Sequence, residues 1–419
     1  MKKLKAGSLQ LVTFIVVVVA LLLSAFIILI HIHKQFRIKS NHIIETVGLV
    51  DKGIGYVLLS EDNRKDTISI LLFDEDYKSV KAHKSFWGTF EKVYAKAKIK
   101  NTILEKTALV GARRDRRDLS VLYLKDNNKP LVLVGNTRIE GNAYLPKRRV
   151  KTGNISGTSY FGEKYVYGNM AVCKSFPKID QEVLDHIKVI DKGHETNFEK
   201  VEYIDLKRSK RHANSFENPL QLIYSNSDIL LSDISITGHI RVQSETKIIV
   251  DASAKLTDVI LIAPVIEIQK QVKGAFQAFA TKSIDVGERV VLDYPSALVL
   301  KKDYVKEVSN KSNMIFVADH SIINGNILAL GKTLPKNYDA QIKINPNAII
   351  KGVVYCAQNL ELRGTVYGAV YTNNFIIKEK GSIYQNHLFN AIISDRELQQ
   401  GFMGLPIENA KNGIAKWLY

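Results

Sequence analysis

The chain has 419 residues, 46% of them hydrophobic and 24% charged, with a formal net charge of +17. Such a chain can bury one or two cores, and nine prolines without a low-complexity tract exclude long disordered linkers. The charge excess is uneven, with a net +12 over residues 34–215 and +2 over residues 216–419. No zinc-finger spacing, helix-turn-helix or RNP-like strand accompanies it, so no specific nucleic-acid partner is expected.

The N-terminus carries the strongest signal. Leu11 to Ile30 is a run of 20 residues without a charge, its hydroxyls limited to Thr13 and Ser24. As a helix it spans about 30 Å, the thickness of a bilayer's hydrocarbon core. It exits into His31, Ile32, His33 and Lys34 without a small-x-small cleavage pattern, so it reads as an uncleaved single-pass anchor over residues 1–33. Lys2, Lys3 and Lys5 at one end nearly balance Lys34, Arg37 and Lys39 at the other. A basic head followed by one anchor places residues 34–419 outside the cytoplasm, on the inner (cytoplasmic) membrane.

Lys5 to Leu23, KAGSLQLVTFIVVVVALLL, resembles the N-terminus of type IV pilin-like proteins: a short basic leader, a glycine, then a long apolar helix. The resemblance implies cleavage after Gly7, leaving Ser8 as the new N-terminus, and partners among other pilin-like or envelope proteins. Val12 stands where the family usually has Glu. The minor pseudopilins of type II secretion share that departure, so the resemblance narrows towards them. A plain signal anchor fits the same residues.

Residues 34–129 read as a stem helix followed by a β-rich membrane-proximal region. Phe36, Ile43, Val47, Val50 and Ile54 recur at helical spacing, and Gly53 and Gly55 are expected to end the helix. Tyr56–Ser60, Thr67–Phe73, Lys92–Ile99 and Leu119–Leu124 read as strands of an antiparallel sheet.

From Pro130 short β pieces alternate with Gly turns, as in a solenoid: first turns over 130–177, a helical and basic insertion over 178–219, and the main solenoid over 220–388. Within the insertion, Ile179, Val183, Ile187 and Ile190 have helical spacing. The clearest internal match sets Gly352-Val353-Val354-Tyr355 against Gly368-Ala369-Val370-Tyr371, with Val354 and Val370 facing inward and Lys301 and Lys302 on the outer face. An irregular β-sandwich fits the same texture. This portion is similar to bactofilins, polymer-forming β-helix proteins, although insertions such as Asp303–Asn313 make its repeats irregular. Residues 389–419 are expected to cap the last turn, because an open solenoid end is an edge-strand hazard. The expected fold is therefore mainly β: an N-terminal transmembrane helix, a small β-rich region, then an irregular parallel β-solenoid.

Candidate chemistry is sparse, and no catalytic, cofactor-binding or metal-ligating residue is assigned. His31 and His33 fall on different helix faces, which disfavours a shared metal. There is no HExxH, CxxC, phosphate loop or G-x-S-x-G elbow, and Gly135–Gly141 lacks the G-K-[ST] ending of a phosphate loop. Cys173 and Cys356 sit in apolar contexts and read as two buried thiols rather than a disulfide. Asp251, Asp258, Asp285 and Asp293 read as turn residues, though a β-helix lyase or glycosidase would use such carboxylates. Tyr144, Tyr160, Phe161, Tyr165 and Tyr167 either stack on sugars or pack between coils. The basic runs Arg113–Arg117, Lys147–Arg149 and Lys207–Arg211 read as solvated loops near anionic lipid. The expected function is a membrane-anchored, non-enzymatic structural or assembly protein of a secretion or pilus-type envelope system. The alternative is a module binding an acidic envelope glycan.

Overall fold

The computed structural model describes residues 7–59, 68–70, 77–113, 120–190, 201–301, 313–331, 337–408 and 410–418. Arg114–Arg117, Lys302 and most of the Asp303–Asn313 insertion lie outside them. The chain divides into two compact units, residues 1–83 with 94–106, and residues 84–93 with 107–419.

The smaller unit holds one long helix, α1 (Gly7–Leu59). It also holds strand β1 (Ile68–Ile70) and parts of strands β2 (Lys78–Trp87), β3 (Phe90–Ile99) and β4 (Thr102–Arg113). The sheet order is β1-β2-β3-β4, with β1 antiparallel to β2 through Ile68↔Ala82. Thr46, Leu49, Val50, Gly53, Ile54 and Val57 form one buried stripe on α1, at the spacing that brings residues to one helix face. Ion pairs from Glu45 to Lys78 and from Asp51 to Lys106 (2.5 Å) tie that part of the helix to β2 and β4. Within this unit Val80, Ala82, Ala95, Ala97 and Ile99 are the sheet's buried hydrophobic residues.

Two expectations are corrected here. The helix does not stop at Gly53 and Gly55 but runs through them to Leu59, so Tyr56–Leu59 is helical and not a strand. A glycine costs a helix only about 1 kcal/mol, less than the burial of Ile54 and Val57 on either side contributes. The buried stripe also begins later than predicted, since Phe36 and Ile43 are exposed.

The larger unit is a parallel β-solenoid whose coils have three faces. Successive coils run through Arg211–Leu231, Ser235–Val250, Lys255–Ile268, Lys273–Val286, Val291–Leu300 with Ile315–Val317, Ile322–Ala329 with Ile342–Ile344, Ile349–Leu362 and Thr365–Glu379. Each pairs in parallel with the next along the first face, the second and the third. The sequence match is a true register, with Gly352↔Gly368 and Val354↔Val370. Val354 and Val370 are fully buried in the interior. Gly325, Gly352 and Gly368 stack at the corner between the first two faces with φ of 153°, 156° and 147°. A Cβ on Gly368 would lie 1.9 Å from the Gly352 carbonyl oxygen, so the corner admits no side chain.

The solenoid does not begin at Pro130, and Ser120–Leu124 is not part of the antiparallel sheet. That strand pairs in parallel with Val370–Thr372 on one side and Asn142–Tyr144 on the other. Leu131–Val134 pairs with His387–Phe389, and Arg138–Glu140 with Ile392–Ser394. The coils of residues 120–172 therefore continue the stack beyond the C-terminal coils. The segment read as an insertion carries the chain to the opposite end, where Val201–Tyr203 pairs with Leu220–Leu222. The tail is corrected likewise. It does not cap the last turn, because residues 120–140 already cover that edge; Asn412–Leu418 instead pairs antiparallel with Thr107–Ala112 of β4.

The second face is buried on both sides. Leu261, Ala278, Leu298, Ile327 and Val354 point inward. Ile260, Phe279, Val299, Leu328 and Tyr355 point outward into a second apolar layer with Trp87, Phe90, Ile179, Val183, Ile187 and Ile190. Helix α2 (Gln181–Val189), N-capped by Asp180, supplies part of that cover. The predicted stripe Ile179, Val183, Ile187, Ile190 is its buried side. Lys301, expected on the outer face, is buried and donates to the Lys188 carbonyl at 2.5 Å, where a cation meets the negative end of α2.

The turn between β2 and β3 is clamped by Gln277. Its Oε1 accepts from the Thr89 N–H (2.8 Å) and hydroxyl (3.1 Å), and its Nε2 donates to the Trp87 carbonyl (2.9 Å). Trp87 Nε1 donates to the Asp258 carbonyl at 3.0 Å.

Replacing Val354 by Asp buries an uncompensated charge and should lower stability by about 3–5 kcal/mol. Gln277→Leu strands a buried N–H and a buried C=O and should cost about 2–4 kcal/mol. Exposed Lys273→Ala should stay within about 0.5 kcal/mol of wild type. Denaturant unfolding of the three variants checks this order, and wild-type stability in Val354→Asp would mean that its side chain does not face a core.

Candidate functional site

Every Leu, Val, Ile and Phe from Leu9 to Ile32 is exposed on α1, around its whole circumference. The few hydroxyls are satisfied within the helix: Thr13 donates to the Leu9 and Gln10 carbonyls, and Ser24 to the Ala20 carbonyl. This stretch can cross a membrane by length and composition. His31 is within 3.2 Å of the Gln35 side chain, one turn on.

Two clefts open on the second face of the solenoid and meet at Leu398, Gln399 and Phe402. The larger, about 1110 Å³, is walled by Tyr123, Tyr371, Arg113, Lys411, Glu408 and Asp395 among others. The smaller, about 440 Å³, is lined by Asp293, Tyr294, Asn324, Lys351 and Glu397. Tyr144, Tyr123 and Tyr371 stack coil on coil, with ring centroids 4.5 and 4.9 Å apart. Their faces are turned to one another, so they present edges and not platforms to the cleft. Lys351 lies 3.7 Å from Glu397, and the Tyr294 hydroxyl donates to the Met403 carbonyl at 3.0 Å. Burial holds the Tyr294 hydroxyl well above its ordinary pKa, so it stays a neutral donor. The clefts thus offer hydrogen bonds and a few charges, with no nucleophile paired to a base among the described residues.

The residues singled out from sequence fall into separate places. Asp251 accepts from the Ser253 N–H and hydroxyl, a turn role, while Asp258 pairs with Lys416 at 2.6 Å. Asp285 accepts from the Ser283 hydroxyl at 3.4 Å and Asp293 lines the smaller cleft, so the four aspartates do not form one site. Tyr144 belongs to the coil-to-coil ladder; Tyr160 lies 6.2 Å from Tyr165 and Arg138 covers Tyr167 at 4.7 Å, whereas Phe161 is exposed. Gly135 has φ +65° and makes a turn. Among the described residues no three His, Cys, Asp or Glu side chains converge to hold a metal. Tyr123 and Gln277 were not singled out from sequence. Tyr144, among the aromatics read as packing between coils, and Tyr371, at the fourth place of an aligned motif, were the signals for the ladder.

Both cysteines are free and buried. Burial pushes the Cys356 thiol up to about 12 and raises that of Cys173, so neither forms a thiolate near neutrality. A maleimide at pH 8 should therefore label neither in the native protein and both after denaturation. Rapid native labelling, or a mobility change on reduction, would contradict the buried free thiols.

No protein-family model matches the chain, and no curated protein matches it. Among solved structures it is similar to the competence-associated pilin ComZ from Thermus thermophilus. The two are 8% identical, with a TM-score of 0.19, over 84% of this chain and 90% of that one. So loose a superposition does not establish a shared fold.

Proposed function

We propose that the chain is a single-pass, membrane-anchored structural or assembly protein with residues 34–419 outside the cytoplasm. It works as a minor-pilin-like component of a bacterial secretion or pilus-type envelope system, alongside other pilin-like or envelope proteins. The observation that carries this reading is the division of α1: apolar and exposed on every side from Leu9 to Ile32, then buried along a single stripe from Thr46 to Val57. The first part has no stable place in water and requires lipid or a bundle of like helices, while the second belongs to a folded domain. The basic leader and Gly7-Ser8 in front of the apolar run support the pilin-type variant of the anchor. The chain acts by positioning and not by catalysis, a reading supported by the missing nucleophile, metal and phosphate-loop motifs.

In a membrane fraction the protein should resist carbonate extraction, and N-terminal sequencing should return Met1 or Ser8. A photocrosslinker replacing Phe14 should capture other proteins with apolar N-terminal helices. A soluble product starting beyond His33 would overturn the anchor, and capture of lipid alone would overturn the assembly role.

A further inference from the structure

The solenoid ends, among the described residues, in a coil that nothing covers. Val150–Thr152 and Met170–Val172 are the outermost strands of their faces, paired on their inner sides with Leu131–Leu133 and Ala143–Leu145. Arg148, Arg149, Lys151 and Lys164 are exposed on this coil, and Glu163 is the one carboxylate between residues 141 and 177. Two aromatic rings are exposed on the same coil, Phe161 at 66% and Tyr165 at 41%, the latter tilted against Tyr160 at 6.2 Å.

A naked solenoid end carries a row of backbone N–H and C=O groups that would template another coil. A second copy is the wrong occupant on charge. Matching ends would bring two basic coils together, and head-to-tail stacking would set this coil against exposed Arg208, Lys210 and Arg211 at the opposite end. A bilayer satisfies the charges but not the strand edges, because hydrocarbon leaves backbone groups without partners. A ligand with both carboxylates and many hydroxyls satisfies charges, edges and rings at once. We propose that this terminal coil binds a linear acidic glycan. The uronate carboxylates take charge-assisted hydrogen bonds from Arg148, Arg149 and Lys151, the sugar C–H faces rest on Phe161 and Tyr165, and the hydroxyls reach the open strand edges. This function is additional to the anchored assembly role and does not depend on it.

The test uses the full chain in detergent micelles and labelled polygalacturonate oligomers, with neutral dextran and phosphatidylglycerol-rich vesicles as comparisons. The R148E/R149E/K151E variant should weaken polygalacturonate binding about tenfold or more, and F161A/Y165A about threefold. R208E/K210E/R211E, with the same charge change at the other end, should stay within about twofold of wild type. The milder R148Q/K151Q carries the test if the triple reversal does not fold. Equal losses from both charge-reversed ends would overturn the proposal in favour of a diffuse anion surface. So would vesicle binding without polygalacturonate binding, dextran binding as tight as polygalacturonate, or concentration-dependent dimers that the first variant abolishes.

Discussion

The solenoid rests on one constraint: no coil can bury its inward side chains alone. Val354 and Val370 have their own coils on one level and need the neighbouring coil to exclude water from the next. This chain meets the constraint with coils from two distant stretches. The last C-terminal strands, Val370–Thr372, His387–Phe389 and Ile392–Ser394, are covered by Leu122–Leu124, Val132–Val134 and Arg138–Glu140. Pairing Leu122 with Val370 closes a loop of roughly 250 residues, which the slow logarithmic growth of closure entropy makes affordable for a ladder this long. The junction also frees the tail, which joins β4.

A second consequence concerns the outward side of the second face. Runs such as Val259–Ala263 and Ala297–Leu300 are apolar without alternation because both of their sides are dry. Helix α2 and the turn around Trp87 complete that layer. Apolar packing does not set a register by itself, and Gln277 supplies the directional part, matching three donor and acceptor groups of the turn at once. The glycine column at Gly325, Gly352 and Gly368 serves the same end, since a side chain there would separate the coils it joins.

The described surface is of two kinds. The Leu9–Ile32 surface is stable in hydrocarbon, whereas the outer solenoid carries ion pairs such as Lys247–Glu267 (2.5 Å) and Lys378–Asp339 (2.6 Å) that belong in water.

Local pattern determined a good deal. The uncharged run Leu11–Ile30, the amphipathic stripe Ile179–Ile190, the Gly352/Gly368 period and the buried character of Cys173 and Cys356 were all legible, because each depends on neighbours in sequence or on one repeated environment. Where long-range packing outweighs local preference, the pattern misled. Gly53 and Gly55 are helical because the stripe around them is buried, and Lys301 is buried because the end of α2 lies over it. Leu119–Leu124 looked like one more strand of the first sheet, since a strand's own residues do not say which edge it will join. That Ser120–Leu124 continues the coil of Thr365–Glu379 was decided by tertiary structure alone: a parallel ladder requires only matching inward residues at matching spacing, and those can come from any part of the chain.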